Sequence, residues 1–493
     1  MKKNILFLFL FFVISIPSVL GFAGGNGSVE APFEISTCEE LQNIHEQYRQ
    51  IGQYVNPIIG IVDNFVLVND IDCSDTVNWE NGFHPIGKGE GTGFFAGTLD
   101  GKGYTISNMY TSTIFYRLYG GEIKNIVFDN VTMNDSLSQN VYSPIFDDVW
   151  AYQDDRMQYV DEKFSNKIRI SNITVINTNV ERTQGSSFGG HITDFGILLG
   201  VVGGGEVLVE DCAVIDANLL VQSDNPEGNV WGIGLLAGGV YASQFGDIEF
   251  RRNYVTGSLT AISNDLGSSW DYVSVGGLIG ASYGVLIEDS FARVNITANG
   301  KEVGGLIGSL GFMSFDPDKP NIIRRSYAAG KIISLDNSPQ VDPFIGAELK
   351  PETTILEGNF FDAYKSGFNS GRAFGLTTAS MKSGKNFINT GWNFVDVWGI
   401  NSAINEGYPN LEVTGIIVDP VNLPRSSGGG GWIEEEVEVI VYVPVSEPSA
   451  PLFALLGDGE GIDSTILILG LVAVALIGSY FLFRKPKARR GRR

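Results

Sequence analysis

The sequence predicts an all-β chain built as a parallel β-helix, with a short N-terminal capping helix and one C-terminal transmembrane helix. Five segments share an apolar–glycine step at intervals of 38, 42, 28 and 38 residues, ending at Gly200, Gly238, Gly280, Gly308 and Gly346. Helical periodicity is absent between about residue 60 and residue 380. About 380 residues lie between the predicted signal peptide and the predicted linker, more than one compact core usually holds. A repetitive fold that grows lengthwise resolves that difficulty.

Each unit carries further β-type blocks. After a turn of variable length, the second blocks read VEDCAV, FRRNYV, IEDSFA, IRRSYA and LEGNFF. A third apolar stretch closes most units, as in Ser258–Ile262. Three short stretches separated by Gly, Asn, Asp and Ser are typical of one coil of a parallel β-helix. A β-propeller is the competing repeat fold, but its blades need four antiparallel strands and a more regular length.

The second blocks alternate in charge from one unit to the next. Stacked strands lie about 4.8 Å apart, so opposite charges on successive coils would pair as a ladder. Each exposed pair contributes about 0.2–1 kcal/mol, which favours an effect on register over one on stability. The predicted ladder consists of Glu210, Asp211, Arg251, Arg252, Glu288, Asp289, Arg324 and Arg325, followed by Glu357.

These repeats, VGGLIG followed by SFA or SYA and a glycine, resemble the GLUG motif of bacterial and archaeal surface proteins. The resemblance covers about residues 33–411, from ISTCEELQNI (35–44) and FFAGTLDGKGYTISNM (94–109) to FGLTTASMKS (374–383) and NEGYPNL (405–411). It implies a right-handed parallel β-helix in adhesin-like or protease-associated surface proteins, and no defined catalytic set. The section 111–195 departs from the pattern, and Val141–Asp161 is predicted to be a protruding loop.

The two ends of the chain predict export and anchoring. Residues 1–23 read as a signal peptide, with Lys2 and Lys3 before an apolar run. Residues 465–483 carry no charge and are long enough to cross a layer of roughly 30 Å as a helix. Seven basic residues follow within 484–493, which predicts a cytoplasmic tail and a single-pass cell-membrane protein with an extracellular N-terminal part.

Composition excludes nucleic acid as a partner. Outside the signal and the tail, 24 Lys and Arg stand against 56 Asp and Glu, a net charge near −32 that repels polyanions. Three cysteines suit an exported chain with one disulfide, and we predict the pair Cys38–Cys73, with Cys212 a small buried residue. Five sequons make the chain a candidate glycoprotein, at Asn26, Asn130, Asn134, Asn172 and Asn295.

The N-terminal segment predicts the capping helix. Ser36 or Thr37 can cap it, with Glu39 and Glu40 as first-turn acids. An apolar stripe follows at helical spacing, formed by Leu41, Ile44 and Tyr48. Such a helix would cover the open edge of the first coil, and the disulfide would fasten it there.

Candidate chemistry is sparse in the sequence. The histidines, His45, His84 and His191, have no partner at useful spacing, which predicts neither metal nor triad chemistry. Asp70 and Asp72 could bind a cation or act as an acid–base pair, although strand-edge solvation is the commoner role. No cofactor is predicted, and structural calcium is compatible with acidic turns such as Asp100–Gly101. Aromatic residues in insertions and turns suit sugar faces, protein partners or packing between coils: Trp150, Tyr152, Tyr159, Trp231, Tyr241, Trp270 and Tyr272.

The expected organisation follows from these segments. It comprises a signal peptide (1–23), an N-terminal cap with the first coils (24–110), an irregular section with an inserted loop (111–195), GLUG-type repeats (196–367), a C-terminal cap (368–411), an acidic Pro/Gly linker (412–464), a transmembrane helix (465–483) and a basic tail (484–493). We expect a non-catalytic protein of adhesion or envelope structure with a glycan or surface-protein ligand. The alternatives are a polysaccharide-degrading lyase or glycosidase, and an assembly protein that binds a partner through Val141–Asp161.

Overall fold

The computed structural model describes ten stretches of the chain. These are residues 21–52, 60–88, 93–134, 141–151, 167–183, 192–222, 230–263, 273–311, 319–336 and 340–412. The chain divides into two compact units, Met1–Asp419 and Pro420–Arg493, and the described residues lie in the first. Within those stretches no helix is long and apolar enough to cross a membrane. The predicted transmembrane helix 465–483, the linker beyond residue 412, the basic tail and residues 1–20 of the predicted signal lie outside them.

Two large parallel sheets make up most of the described chain. The nine-stranded sheet consists of Gly60–Ile61, Phe94–Phe95, Phe115–Leu118, Phe146–Ala151, Leu199–Gly204, Ala237–Ala242, Ile279–Tyr283, Ile307–Leu310 and Ile345–Glu348. The twenty-stranded sheet consists of Phe33–Ile35, Asn64–Leu67, Ile71–Asp72, Thr98–Asp100, Thr105–Ser107, Gly121–Asp129, Ile168–Ile176, Asn179–Arg182, Val207–Glu210, Ala213–Gln222, Ile248–Arg251, Tyr254–Ile262, Val285–Glu288, Phe291–Ala298, Asn321–Arg324, Tyr327–Ala328, Ile332–Ser334, Thr354–Glu357, Phe360–Asp362 and Phe374–Leu376.

Smaller elements complete the fold. Parallel pairing also joins Tyr110–Thr111 to Thr132–Met133 and forms a three-stranded sheet from Ser274–Gly276, Glu302–Gly304 and Gln340–Asp342. Trp398–Ile400 and Pro409–Leu411 form an antiparallel hairpin. The helices are Cys38–Gly52, Ala363–Ser366, Thr378–Met381 and Gly384–Ile388, with 3-10 turns at Ser74–Asn78, Pro351–Thr353 and Asn405–Gly407. The chain is therefore mostly β with parallel sheets and few helices, compatible with a parallel β-solenoid.

The repeat blocks found in the sequence pair with one another in register. Val207–Glu210 pairs with Ile248–Arg251, which pairs with Val285–Glu288, and the series continues to Asn321–Arg324 and Thr354–Glu357. Each partner lies one unit further along the chain, so a strand buries its apolar face only when the neighbouring unit is present. Their inward side chains, such as Val209, Phe250 and Ile287, are fully buried, and the hydrophobic core runs along the stack.

The glycines of the apolar–glycine steps lie where two backbones meet. A Cβ placed on Gly308 would be 2.6 Å from the backbone nitrogen of Val275, and one on Gly280 would be 2.2 Å from that of Ile233. Real Cβ atoms do not approach so closely, so only glycine permits this packing. The recurring LIG step is thus a requirement of close backbone approach.

An internal polar ladder follows each second strand block. The backbone N–H of Cys212 donates to Asn253 Oδ1 at 2.9 Å, that of Asn253 to Ser290 Oγ at 3.1 Å, and that of Ser290 to Ser326 Oγ at 3.1 Å. The N–H of Ser326 continues the series to Asn359 Oδ1 at 3.0 Å. All five side chains are buried, and these bonds satisfy corner amides that would otherwise be buried without a partner.

The N-terminal helix Cys38–Gly52 is capped as its sequence predicts. Thr37 Oγ1 accepts the Glu40 N–H at 3.2 Å, and Glu40 Oε2 accepts the Thr37 N–H at 3.3 Å, a reciprocal capping box; Glu40 Oε2 also accepts the Ser36 N–H at 2.6 Å. Leu41 and Ile44 on its apolar stripe are fully buried. A disulfide links Cys38, the first residue of the helix, to Cys73, with the two Cα atoms 5.3 Å apart.

The section 111–195 is more regular than its sequence indicates. Phe146–Ala151, inside the predicted loop Val141–Asp161, is a strand paired with Phe115–Leu118 on one side and Leu199–Gly204 on the other. The prediction of a protruding loop is therefore wrong for these residues, while residues 152–161 lie outside the described chain. Within this strand Asp148 and Trp150 are half-buried, whereas Phe146 and Asp147 are buried.

Candidate ligand-binding cleft

A row of outward-facing positions crosses the nine-stranded sheet. Asp148 pairs in register with Arg117 on one neighbouring strand and with Val201 on the other, and Val201 pairs with Gly239. Tyr142 and Asp194 come from the segments just before two of these strands. A cleft of about 340 Å³ opens over the row, lined by Tyr119, Tyr142, Asp148, Trp150, Asp194 and Val201.

Glycines beneath the cleft make room for its aromatic rings. A Cβ on Gly203 would lie 2.2 Å from Cζ3 of Trp150, so the indole lies against the bare backbone of the adjacent strand. A Cβ on Gly239 would lie 2.6 Å from Cε2 of Tyr241. Any larger residue at these two positions would displace the rings. The cleft therefore has an aromatic surface held in place by packing.

The two cleft carboxylates are each oriented by a tyrosine. Tyr119 donates its hydroxyl hydrogen to Asp148 Oδ2 at 3.2 Å, and Tyr241 donates to Asp194 Oδ1 at 2.7 Å. Asp194 Oδ1 lies over Gly239, two strands from Asp148. Two strand spacings correspond to about 10 Å. The backbones beneath the two carboxyl groups are thus about that far apart, and both groups line the same cleft.

Burial makes the carboxyl groups of Asp148 and Asp194 weaker acids than an exposed aspartate. Desolvation raises the pKa of Asp148 to about 6, with smaller opposing effects from the Tyr119 hydrogen bond and the Arg117 charge. Desolvation likewise raises the pKa of Asp194 to about 6 against the Tyr241 hydrogen bond. Tyr142 has a pKa raised to about 12, first by burial and then by the nearby Asp147. Near pH 7 both carboxyl groups are mostly ionised, and burial makes this charged form energetically unfavourable.

Asp147 is a structural neighbour of the cleft. Its carboxylate accepts the backbone N–H of Tyr142, its side chain is 2% exposed, and burial holds its pKa well above the usual range. This bond fixes the backbone that carries the Tyr142 ring to the cleft. Asp147 therefore positions a lining residue and does not itself line the cleft.

Such a site can bind ligands in two ways. Aromatic faces stack on apolar faces of sugars and attract cations, while half-buried carboxylates accept hydrogen bonds from hydroxyl or amino groups. Two carboxyls on opposite sides of a bound chain could also act as acid and base. In inverting glycosidases the two carboxyl groups stand about 6.5–9.5 Å apart.

The predicted charge ladder lies on the twenty-stranded sheet. Glu210, Arg251, Glu288 and Arg324 are consecutive register partners. Arg251 Nη1 and Arg324 Nη2 lie 3.4 Å and 3.0 Å from Glu288 Oε2, so the contacts join adjacent coils. Glu210 differs, because it binds Arg252 at 2.8 Å and also Arg169.

The second residue of each charged pair forms the coil corner. Asp211, Arg252, Asp289 and Arg325 have φ of 56°, 53°, 50° and 48°, in the left-handed region. Arg252 Nε lies 2.6 Å from Asp211 Oδ1, and Arg325 Nε lies 2.9 Å from Asp289 Oδ1. Asp and Asn occupy this conformation more readily than most residues, so the two arginines are unusual and are held by bidentate contacts.

The other predicted acids have neighbours of their own. Asp70 Oδ1 accepts the Thr105 N–H, Asp72 Oδ1 accepts the Ser74 N–H and the Asn108 side chain, and Asp100 pairs with Lys102 at 2.9 Å. In the described part of the chain, no group of three His, Cys, Asp or Glu side chains is placed to hold a metal ion.

Two histidines and the sequon asparagines take structural positions. The rings of His45 and His84 lie 4.2 Å apart, while His191 is outside the described residues. Asn172 Nδ2 donates to Asn125 Oδ1, and Asn130 Nδ2 to Asn108 Oδ1, each at 2.8 Å between coils. Asn26 and Asn295 are exposed, and Asn134 is half-buried. Glycosylation at Asn172 or Asn130 would replace one of the two hydrogens on the amide nitrogen that makes the inter-coil bond.

Sequence reasoning found part of the cleft. Trp150 and Tyr241 were among the aromatic candidates, but Tyr119, Tyr142, Asp148 and Asp194 were not. The signal that could have found them is an acid or aromatic residue near a matched apolar–glycine step, as in DDVW (147–150) and TDFG (193–196). Tyr152, Tyr159, Trp270 and Tyr272 lie outside the described residues, and Trp231 lies in a segment that pairs with Ile192–Asp194.

Comparisons with known proteins match only parts of relatives. No family model matches the chain. A protein of Evansella cellulosilytica named "Putative Gly-rich membrane protein" is 32% identical over 131 residues, which are 26% of this chain and 14% of that protein. "Halomucin" of Haloquadratum walsbyi is 32% identical over 128 residues, 23% of this chain and 1% of that protein. The chain thus spans a small fraction of each relative.

One solved structure is similar to this chain at low identity. It is described as a "putative immunoglobulin A1 protease from Bacteroides ovatus" and is 17% identical, with a TM-score of 0.46. The similarity covers 79% of this chain and 95% of that chain.

Proposed function

We propose that this protein is a membrane-anchored surface solenoid of the GLUG type, wound as a right-handed parallel β-helix, that binds glycans in adhesion or envelope structure. The repeat motifs, the predicted signal and anchor, and the acidic exported part support a surface location. Relatives named as a Gly-rich membrane protein and as halomucin agree with it. Right-handed winding is expected because parallel crossover connections are almost always right-handed.

The observation that carries the binding function is the cleft itself. Trp150 and Tyr142 provide aromatic surface, Asp148 and Asp194 provide acceptors, and the four side chains come from two adjacent coils. A volume of about 340 Å³ lies within the range of small-ligand pockets, about 300–1,000 Å³. Sugars suit this mixture because they present an apolar ring face beside hydroxyl donors.

A glycan array probed with the full chain in a polyoxyethylene detergent tests this function. Such a detergent carries no sugar that could compete. We expect binding to a restricted set of glycans and loss of that binding in Trp150→Ala. The matched control is Trp79→Ala, which removes an aromatic residue from the N-terminal segment. Absence of any glycan binding, or equal loss in both variants, would contradict the proposal.

Glycan cleavage is the second candidate function. It is favoured by two carboxyl groups that line one cleft, because hydrolysis of a glycosidic bond uses one carboxyl group as acid and a second as base or nucleophile. Every glycan bound on the array is therefore incubated with the protein and checked for shorter products. Turnover that disappears in Asp148→Asn or Asp194→Asn would replace the binding function by an enzymatic one.

A further inference from the structure

The charge balance of the cleft is strongly one-sided. Among the described residues, neither Asp148 nor Asp194 forms an ion pair, and each accepts a hydrogen bond from a tyrosine hydroxyl. Arg117, in register with Asp148, is the basic side chain that acts on that carboxylate, and no basic side chain is found to act on Asp194. A half-buried carboxylate such as that of Asp194, with no cation acting on it among the described residues, is costly, and a cationic ligand would relieve that cost.

The aromatic surface adds a second attraction for a cation. The indole of Trp150 lies against Gly203, and Tyr119 and Tyr142 line the same cleft. Ring faces attract ammonium groups, and tryptophan attracts them most strongly. A hard divalent ion instead prefers six to eight oxygen ligands, which aromatic walls do not supply.

We propose that the cleft recognises an amino-sugar chain, with ammonium groups of neighbouring sugars at Asp148 and at Asp194 and a sugar ring against Trp150. This inference rests on the proposed glycan-binding function and names its ligand class. The sugar ring would stack on the aromatic surface while the ammonium groups neutralise the carboxylates. N-acetylation would remove the charge and leave the sugar backbone unchanged.

That difference provides a matched pair of ligands. Binding of a β(1→4)-linked glucosamine tetramer and of its fully N-acetylated counterpart to the full chain is measured by calorimetry in the same detergent. We expect the amino form to bind about tenfold more tightly, the ratio expected from one favourable charged contact. Choline should compete with it, and the neutral isostere 3,3-dimethyl-1-butanol should not, because only choline carries the charge.

Isosteric variants locate the contact. Asp148→Asn and Asp194→Asn should each weaken amino-sugar binding about three- to tenfold and leave the affinity for the acetylated form unchanged. The matched control is Asp216→Asn, an exposed carboxylate on the twenty-stranded sheet, which should change neither affinity. The comparison of ligands on the unmodified chain stands even if a variant fails to fold.

The outcomes separate this inference from the function on which it rests. Equal or tighter binding of the acetylated tetramer would overturn ammonium recognition while leaving glycan binding intact. Binding of choline but of neither tetramer would overturn the amino-sugar assignment, and the glycan array alone would then decide the glycan function. Binding of calcium, lost in Asp148→Asn, with no binding of amino sugar or choline, would make the cleft a metal site and overturn the inference.

Discussion

Glu288 is the acid on which the charge ladder converges, and its neutralisation is the sharpest test of that ladder. Arg251, Arg324 and Arg325 all contact its carboxylate, from the coils on either side. The Glu288 side chain is 11% exposed and the three arginines are 22–34% exposed, so solvent screens the pairs in part. Three pairs at about 0.2–1 kcal/mol each amount to about 0.6–3 kcal/mol.

We expect Glu288→Gln to lower the free energy of unfolding by about 2 kcal/mol, because glutamine keeps the shape and removes the charge. Urea unfolding of the full chain, followed by circular dichroism, measures it. Glu249→Gln is the control, since Glu249 pairs only with Arg251 of its own strand among the described residues. The Glu288 effect should shrink near 1 M NaCl, where the Debye length is about 3 Å. Equal effects of the two substitutions, or no dependence on salt, would refute the reasoning.

Three further predictions follow from other parts of the fold. Replacing Cys38 and Cys73 by serine should lower the free energy of unfolding by about 3–4 kcal/mol, since the disulfide closes a 35-residue loop. The control Cys212→Ser should lower it by less than about 1 kcal/mol. Thermal melting of each variant and of the unmodified chain, with and without reductant, measures both effects. Asn253→Ala leaves the Cys212 N–H and the Val209 carbonyl without their partner and should cost about 2–4 kcal/mol in urea unfolding. The Asp148 and Asp194 pKa values of about 6 exceed the usual 3.8, so the native state binds more protons between those values. Stability should therefore rise as pH falls from 7 to 4, a gain absent in Asp148→Asn/Asp194→Asn, while amino-sugar binding should fall through pH 6.

Those parts of the fold that repeat could be predicted from the sequence. The LIG steps and the charged second blocks recur because each must match its neighbour in the stack, so register leaves a pattern in the residues. The pairing of Glu288 with Arg324 could be predicted because each follows two apolar residues at the same place in its unit. The N-terminal helix could also be predicted, since Thr37 and Glu40 form a capping motif within four consecutive residues.

The cleft could not be predicted in the same way. Asp148 and Trp150 face outward, where no core constrains the choice of residue, so they depart from the repeat pattern. Asp194 comes from a segment 46 residues later in the chain, and only the stacking of coils brings it near Asp148. The internal polar ladder was missed for a different reason. Cys212, Asn253 and Ser290 share no residue type, although each forms the same bond with the next coil.

The position of the cleft follows from how the stack is covered. In later coils the outward row continues through Gly239, Ala281, Ser309 and Ala347, and these residues are small and buried. There the three-stranded sheet packs against the row, with Ser274 Oγ 2.9 Å from Ser309 Oγ. Isolated parallel bridges extend this pairing towards the N-terminus: Val275 pairs with Ile233, and Val230 pairs with Ile192. Asp194 lies in the first of these bridged segments, so the cleft opens where the covering layer begins. Large side chains are accommodated in the row only there, because nothing among the described residues packs over Asp148 and Val201 as the sheet packs over Ser309.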